Sequence, residues 1–523
     1  MPPSRASDAT LIVRGRIHTM DPRRPVARAF AVRGDRIVAV GTEAQAERWR
    51  SRGTTEWRLP PGRTVVPGFV DAHAHLATDA WRRTWVDLGG CASLEDAFDR
   101  LRARVATARH GEWIVGRGWD ESTWPVKRYL TRHDLDRVSA THPILVNRVD
   151  GHMCSVNTVA FRGSGLAAGV AGVELGPDRQ PTGVLKEEAA ERARAQMTPP
   201  TGDALANLLA DAIAHVHSLG ITSVHDIVHP RHVDAYERLR RQNRLGIRAY
   251  LMPYAEDLDA YVASGFRTGF GDEWLRLGAV KVFSDGSMGA RTAALFDPYD
   301  DAPRESGGLV YSPKALTALL ARAHGAGFQA AVHAIGDRAI DVVVESFARV
   351  LEREPRDDHR HRIEHFELPS EDVLDRVKEL GLIASMQPNF VARWSHPGEL
   401  YERRLGRARL AGNNPLRAIL RKRIPLAFGS DGMPYGPLQG MAGAVGAPFA
   451  RQRLSPTQAL RCYTASAAYA GFAEDDVGTL AEGKLADLVV LSGDPTDAPP
   501  SAWAVDATIA GGEVVYRRAR RPR

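Results

Sequence analysis

Thiols are scarce in this chain. It carries three cysteines, Cys91, Cys154 and Cys462, far apart in sequence and with no C-x-x-C pair. A scattered, odd-numbered set argues against a disulfide framework and against a thiolate zinc site. Long apolar runs are missing as well. No segment reaches the roughly eighteen unbroken apolar residues of a membrane span. The opening stretch MPPSRASDATLIVRGRIHTMDP has no cleavage pattern, so a reduced, cytoplasmic setting is expected. Charge of one sign is not in large excess: 69 Lys and Arg face 63 Asp and Glu, a net +6. The clustered surplus is the tail YRRARRPR, which reads as a solvated basic end. Elsewhere acids and bases mix, with no basic face interleaved with aromatics, so no nucleic-acid partner is expected.

What is present is an ordinary globular composition. The chain has 523 residues, 44% hydrophobic and 25% charged, ample for a large core. Both ends read as short strands broken by Gly-Asp and Pro-Gly: TLIVRGRIHTM, ARAFAVRGDRIVAVG and RTVVPG at the start, VGTLAEGKLADLVVLSGDP and AVDATIAGGEVVYRR at the finish. Neither end has enough apolar surface alone. Together, residues 1–66 and 470–523 are expected to form one small composite β-domain, a β-sandwich.

Between the ends, short apolar strands alternate with amphipathic helices. Eight windows read as strands: VVPGFVDAH, then residues 221–228, 246–253, 277–285, 328–337, 361–368, 382–390 and 425–432. Eight βα units make an α/β protein with a (β/α)8 TIM-like barrel over 67–75 and 201–469. The rhythm fails at 76–200, where GEWIVGRGWDESTWP and HPILVNRVDGHMCSVNT occupy the place of one helix. This stretch reads as a Trp- and Gly-rich insertion after the first barrel strand. Barrels keep their βα loops on the active face, so it is expected to act as a lid.

The first strand ends in VVPGFVDAHAHLATD. Residues i and i+2 of a strand point to one side, so His73 and His75 project together. Paired neutral imidazoles suit a divalent metal. Alone, H-x-H is a weak motif. However, Lys281 (GAVKVFSDGSMGARTAAL), His333 (AVHAIGDRAI), His365 (RIEHFEL) and Asp431 (FGSDGMPYGP) each fall near the C-terminal end of a different strand, where barrel enzymes gather their catalytic groups. His225, in SVHDIV, also sits at a strand end.

This pattern resembles the amidohydrolase superfamily of metal-dependent hydrolases. The stretches VPGFVDAHAH, VKVFSDGSMGARTAAL, VHAIGDRAI, RIEHFEL, QPNF and GSDGMP are similar to the amidohydrolase-3 type, which includes N-substituted formamide deformylase-like enzymes. The resemblance implies that His73 and His75 bind the more buried metal and that His333 and His365 hold the second. It implies that Asp431 touches the first metal and shuttles protons. It also implies a carboxylated Lys281 bridging the two. An ammonium has donors and no acceptor, so a lysine ligand requires such a change. If Lys281 stays cationic, one metal binds and the amine pairs with Asp285 or with substrate. His225 matches no ligand of the family.

The implied activity is hydrolysis of an amide-type C–N bond other than a peptide bond, in a small molecule such as an N-substituted formamide. Two cations would acidify a shared water and polarise the carbonyl, hydroxide would attack, and Asp431 would pass the proton to the leaving amine. Zinc is the expected metal, with iron, manganese or cobalt open. His152, in VDGHMCSVN, is the further catalytic and substrate-binding candidate, by the Asp-Gly-His that the resemblance places there. Trp119 in the insertion, and Asp285 and Gly286 in the loop after the fourth strand, are the remaining substrate-binding candidates. Trp119, like Trp124, would provide an apolar wall or pack the insertion. Two other readings stay open: an isomerase or lyase on the same metal scaffold, and a non-catalytic binding protein. No membrane partner is expected, and a homo-oligomer remains open.

Overall fold

The computed structural model describes residues 8–149, 153–432, 435–494 and 499–519. The chain groups into two compact units, residues 1–77 with 209–523, and residues 78–208.

In the first unit the two chain ends share one eight-stranded sheet. Strand Thr64–Pro67 runs antiparallel to Leu488–Leu491, pairing Leu488 with Pro67 and Val490 with Val65. Strands Val26–Arg33 and Arg36–Gly41 form a hairpin around the Gly-Asp of RGDRI. Its turn needs Gly34, whose φ of 61° lies in the left-handed region where a side chain is strained. One core draws on both ends, with Val13, Ile17, Phe30 and Val65 packed against Leu488, Val490 and Ile509.

The same unit holds a further strand in each of the eight expected windows. They are β1 (Phe69–Ala74), β2 (Ile221–Val228), β3 (Arg248–Pro253), β4 (Val280–Phe283), β5 (Ala330–Ala334), β6 (Arg362–His365), β7 (Ile383–Met386) and β8 (Leu426–Phe428). All their pairings are parallel. They form two sheets: β1, β2 and β3 with the short strand Leu275–Leu277, and β4 through β8 in order. Isolated parallel bridges, Tyr254 to Lys281 and Ala74 to Asp431, join the sheets at both margins. β1, β2 and β3 are buried along their whole length, as parallel strands covered on both faces must be.

Helices follow the strands. Helix Asp337–Arg353 buries Ile340, Val343, Val344, Phe347 and Val350, an apolar stripe at helical spacing. Helix Pro313–Gly325 starts at Ser312, whose hydroxyl accepts the Ala315 N–H, with Pro313 in the first turn where its missing N–H costs nothing.

Residues 78–208 form their own sheet of six strands, in the order Val173–Leu175, Pro181–Lys186, Met153–Val156, Ile144–Arg148, Ile114–Trp119 and Val86–Asp87. Trp119 is fully buried in this unit's core among Phe98, Leu101 and Ile144. It stacks on Trp124 at 6.0 Å between ring centroids and donates its indole N–H to the Val146 carbonyl at 3.2 Å. That corrects the substrate-binding expectation for Trp119, because a ring enclosed on every side packs the unit. Among the described residues, no helix is long and apolar enough to cross a membrane.

Buried neutral histidines make the first unit acid-sensitive. His217 donates from Nε2 to the Gly246 carbonyl at 3.0 Å, and burial lowers its pKa to about 4. An unfolded imidazole titrates near 6.5, so between those values the unfolded chain binds the extra proton. The stability that His217 contributes is therefore complete above pH 6.5 and declines as pH falls toward 4, by about 2 kcal/mol at pH 5. The Tm of the wild type is expected to fall more steeply from pH 7 to 5 than that of His217→Gln, whose amide retains a donor. Parallel Tm profiles in differential scanning calorimetry would contradict this role.

Candidate metal centre

Alternation along β1 sends Asp71, His73 and His75 to one side. His73 is fully buried and His75 partly exposed. Asp71 spends one carboxylate oxygen on backbone, accepting the N–H groups of His73 at 3.2 Å and Ser430 at 2.9 Å. The 430–431 turn after β8 is thereby tied to the end of β1. The tie is repeated where the Asp431 N–H donates to the His73 carbonyl at 2.7 Å. Gly429 makes this approach feasible, since a Cβ there would lie 2.4 Å from the His73 nitrogen.

The other expected ligands arrive from β4, β5, β6 and the end of β8. Lys281 Nζ lies 3.4 Å from His73 Nε2. Asp431 Oδ1 lies 3.2 Å from His75 Nε2 and 3.7 Å from His73 Nε2. His73, His365 and Asp431 each offer a ligand atom within 4.8 Å of the other two. The rings of His333 and His365 stand 4.4 Å apart between centroids. In β6, Arg362 and Glu364 share one face, and strict alternation would turn His365 away from it. The left-handed backbone of His365 (φ 71°) and Phe366 (φ 48°) breaks that alternation. Asp431 is held in the same region at φ 59°. Such conformations cost of order 1–3 kcal/mol each and persist where surrounding structure enforces them, typically at functional sites.

The imidazoles of His73, His333 and His365 are neutral. Burial lowers His73 to about 4, helped by the Lys281 charge, and lowers His365 to about 3. Burial likewise holds His333 well below its ordinary value. Burial also brings Lys281 down to about 8. For Asp431 burial alone would raise the pKa. The hydrogen bond from His75 leads the effects that outweigh it, and the carboxylate stays ionised.

A neutral imidazole has one N–H and one bare nitrogen, and the partner of the first decides where the second is. His73 gives its Nδ1 proton to Glu364 Oε2 and keeps Nε2 bare, beside Lys281 and Asp431. His365 Nδ1 donates to Gln387 Oε1 at 2.7 Å. His333 Nε2 donates to the Gly286 carbonyl at 3.0 Å, and its Nδ1 is buried with no hydrogen-bond partner. An orphaned, lone-pair-bearing nitrogen among imidazoles and a carboxylate fits a divalent cation, as does the whole donor set. His73, His365 and Asp431 would hold one ion, with His75 beside Asp431; this groups His365 with His73, where the resemblance gives it to the second ion, and leaves His333 and a modified Lys281 available to another.

Beside these groups lies an open cavity. Its walls are mainly apolar, from Met288, Ile335, Phe390, Trp394 and Leu400, while His333, His365 and Asp431 line it too.

Two loop assignments need correction. Asp285 does not face a ligand with a spare oxygen. Its carboxylate accepts the backbone N–H groups of Ala294, Ile335 and Gly336 at 2.9–3.1 Å, and so braces the loops after β4 and β5. Gly286 is required by packing, since a Cβ there would lie 2.0 Å from Thr292 Oγ1 and its carbonyl orients His333. His152 lies outside the described residues. The sequence patterns above do not single out Glu364, Arg362 or Gln387. The signal for the first two was present, as RIEH puts opposite charges at i and i+2 inside an apolar strand.

Comparison with known proteins agrees with this geometry. The amidohydrolase family model matches residues 61–516, so the chain belongs to the amidohydrolase family, metal-dependent hydrolases that include enzymes cleaving C–N bonds. It is 30% identical over 548 residues to the protein LONG AFTER FAR-RED 3 of Arabidopsis thaliana, covering 98% of this chain and 93% of that one. It is 27% identical over 522 residues to the N-substituted formamide deformylase of Arthrobacter pascens, covering 93% and 94%. Among solved structures, an uncharacterized metal-dependent hydrolase from Pyrococcus furiosus superposes with a TM-score of 0.82 at 29% identity, over 93% of this chain and 99% of that one. Such neighbours imply a TIM-barrel-like α/β fold.

Because Gly286 has no room for a methyl group, Gly286→Ala is expected to lower stability by about 1–3 kcal/mol. It should also reduce turnover at least tenfold by shifting the carbonyl that orients His333. A urea midpoint and kcat both equal to wild type would contradict the packing account.

Proposed function

We propose that this chain hydrolyses an amide-type C–N bond in a small molecule carrying an apolar substituent on nitrogen, an N-substituted formamide being one candidate. The observation that carries the reading is the convergence of neutral, tautomer-fixed imidazoles on one ionised aspartate at the edge of an apolar cavity. When bound, divalent cations in such a donor set supply Lewis acidity and lower the pKa of water. Zinc suits the ligands best, with iron, manganese and cobalt compatible.

The chain's own residues do the rest. Asp431 is ionised and borders the cavity, so it can take a proton from the attacking water and return it to the leaving amine. The Asp431 N–H, bonded to the His73 carbonyl at 2.7 Å, fixes the backbone that carries this carboxylate. The apolar wall excludes bulk water and accommodates the nitrogen substituent. Lys281 is buried with its amine facing His73 rather than a carboxylate. An ammonium there is costly, which supports conversion by carbon dioxide to a carbamate with release of a proton.

The architecture we infer is a closed (β/α)8 barrel capped by a β-sandwich. The bridges at both sheet margins support closure, and the core shared by strands from both chain ends supports the sandwich. The partner is a small molecule, with neither nucleic acid nor membrane involved, and the setting is cytoplasmic.

The test is an assay of metal-loaded protein against N-formyl and N-acyl amines of graded bulk. His73→Ala is expected to lose both bound metal and nearly all turnover. Asp431→Asn should keep most of its metal and lose roughly 10²–10⁴-fold in kcat, the usual range for general acid–base catalysis. Full activity in either variant would refute that residue's role. Turnover confined to small polar amides would refute the apolar substituent.

A further inference from the structure

We propose that Arg362 and His225 are positioning residues for the metal-binding edge of His73, acting through Glu364. The inference rests on the metal-hydrolase reading and concerns side chains that touch neither cation nor substrate in it. It also gives a place to His225, which matches none of the family's metal ligands.

Arg362 is a guanidinium with no exposure, on the same face of β6 as Glu364. Its Nε donates to Glu364 Oε1 at 2.7 Å and its Nη2 to Oε2 at 3.0 Å, a forked pairing that fixes the carboxylate plane. Nη2 also donates to Ser385 Oγ at 2.9 Å and to the Ala72 carbonyl. Nη1 donates to His225 Nδ1 at 2.8 Å. One planar group thus ties β1, β2, β6 and β7 together. The Glu364 oxygen that receives Nη2 is the one that takes the His73 Nδ1 proton. The sequence of contacts runs His225, Arg362, Glu364, His73, with every member buried.

The far end is held as firmly as the near one. The His225 ring packs on Tyr250 at 4.9 Å between centroids. Gly471 abuts the opposite nitrogen, and a Cβ on it would lie 2.6 Å from His225 Nε2. His225 must present Nδ1 as an acceptor, because the guanidinium offers only donors. Remove that acceptor and Nη1 is left buried with a proton and no partner. The guanidinium then rotates to seek one, the fork on Glu364 opens, and the His73 ring loses its fixed direction.

Demetallated wild type and variants, titrated with Co(II) alone, give affinity and the d–d absorption spectrum, with the Tm of each metal-free protein read in parallel. His225→Leu is expected to bind Co(II) up to about tenfold more weakly, with altered d–d bands, at the low end of the range for losing a ligand's own hydrogen-bond partner, here Glu364. His225→Asn offers an amide oxygen where Nδ1 stands and should remain within about threefold of wild type. A His225→Leu protein with a lowered Tm but wild-type affinity and spectrum would overturn the proposal, since that is the signature of packing alone. Should His225→Leu not fold, Gly471→Ala decides: displacement of the ring is expected to weaken Co(II) binding, and unchanged binding overturns the proposal. A wild-type chain that takes up no Co(II) contradicts the metal reading itself, and the proposal falls with it.

Discussion

A dry interior accepts several imidazoles at one point only if each is neutral and each spare N–H has an acceptor. That constraint organises this molecule. An unsatisfied buried donor costs about 1–3 kcal/mol. A buried charge without a partner costs more. His73 meets the condition through Glu364, His365 through Gln387, and His333 through the Gly286 carbonyl. Glu364 in turn must be ionised to serve. Burial alone would raise its pKa, but Arg362 and His73 keep it well below the ordinary carboxylate range. Glu364, by accepting the His73 Nδ1–H, is what leaves a lone pair on His73 Nε2.

The backbone serves the same end. Parallel strands deliver side chains to one margin of the sheet but alternate their directions. Left-handed residues at His365 and Asp431 override that alternation where one more group is needed. The glycines that matter are those where two backbones must touch. Gly429 lets the turn after β8 close on His73, and Gly286 lets its loop fold back over Thr292. Asp285 fastens the loops after β4 and β5 to each other by hydrogen bonds from backbone N–H groups.

Much of this was legible in the sequence, for identifiable reasons. Buried parallel strands are continuous apolar runs, so eight windows stood out, and polar residues at their ends were conspicuous. The pairing of the two chain ends followed from neither having enough apolar surface to fold alone. What sequence could not supply was direction. Trp119 lies in a Trp- and Gly-rich stretch that suits a ligand wall equally well, and only packing shows it enclosed. Asp285 stands beside a lysine and a glycine in a loop of the active type, yet its oxygens are spent on amides that lie 9 to 51 residues away in sequence. Arg362 and Glu364 look like an ordinary charged pair until their burial and their contact with His73 are known.

The central claim is that one point in the molecule, bounded by His73, His75, His365 and Asp431, holds a cation. Crystals of the metal-loaded protein, measured on both sides of the absorption edge of the loaded metal, test it most directly. The account predicts an anomalous difference peak enclosed by those four side chains, with Glu364 still on the far side of the His73 ring. No peak there, or a peak coordinated by other residues, would contradict it.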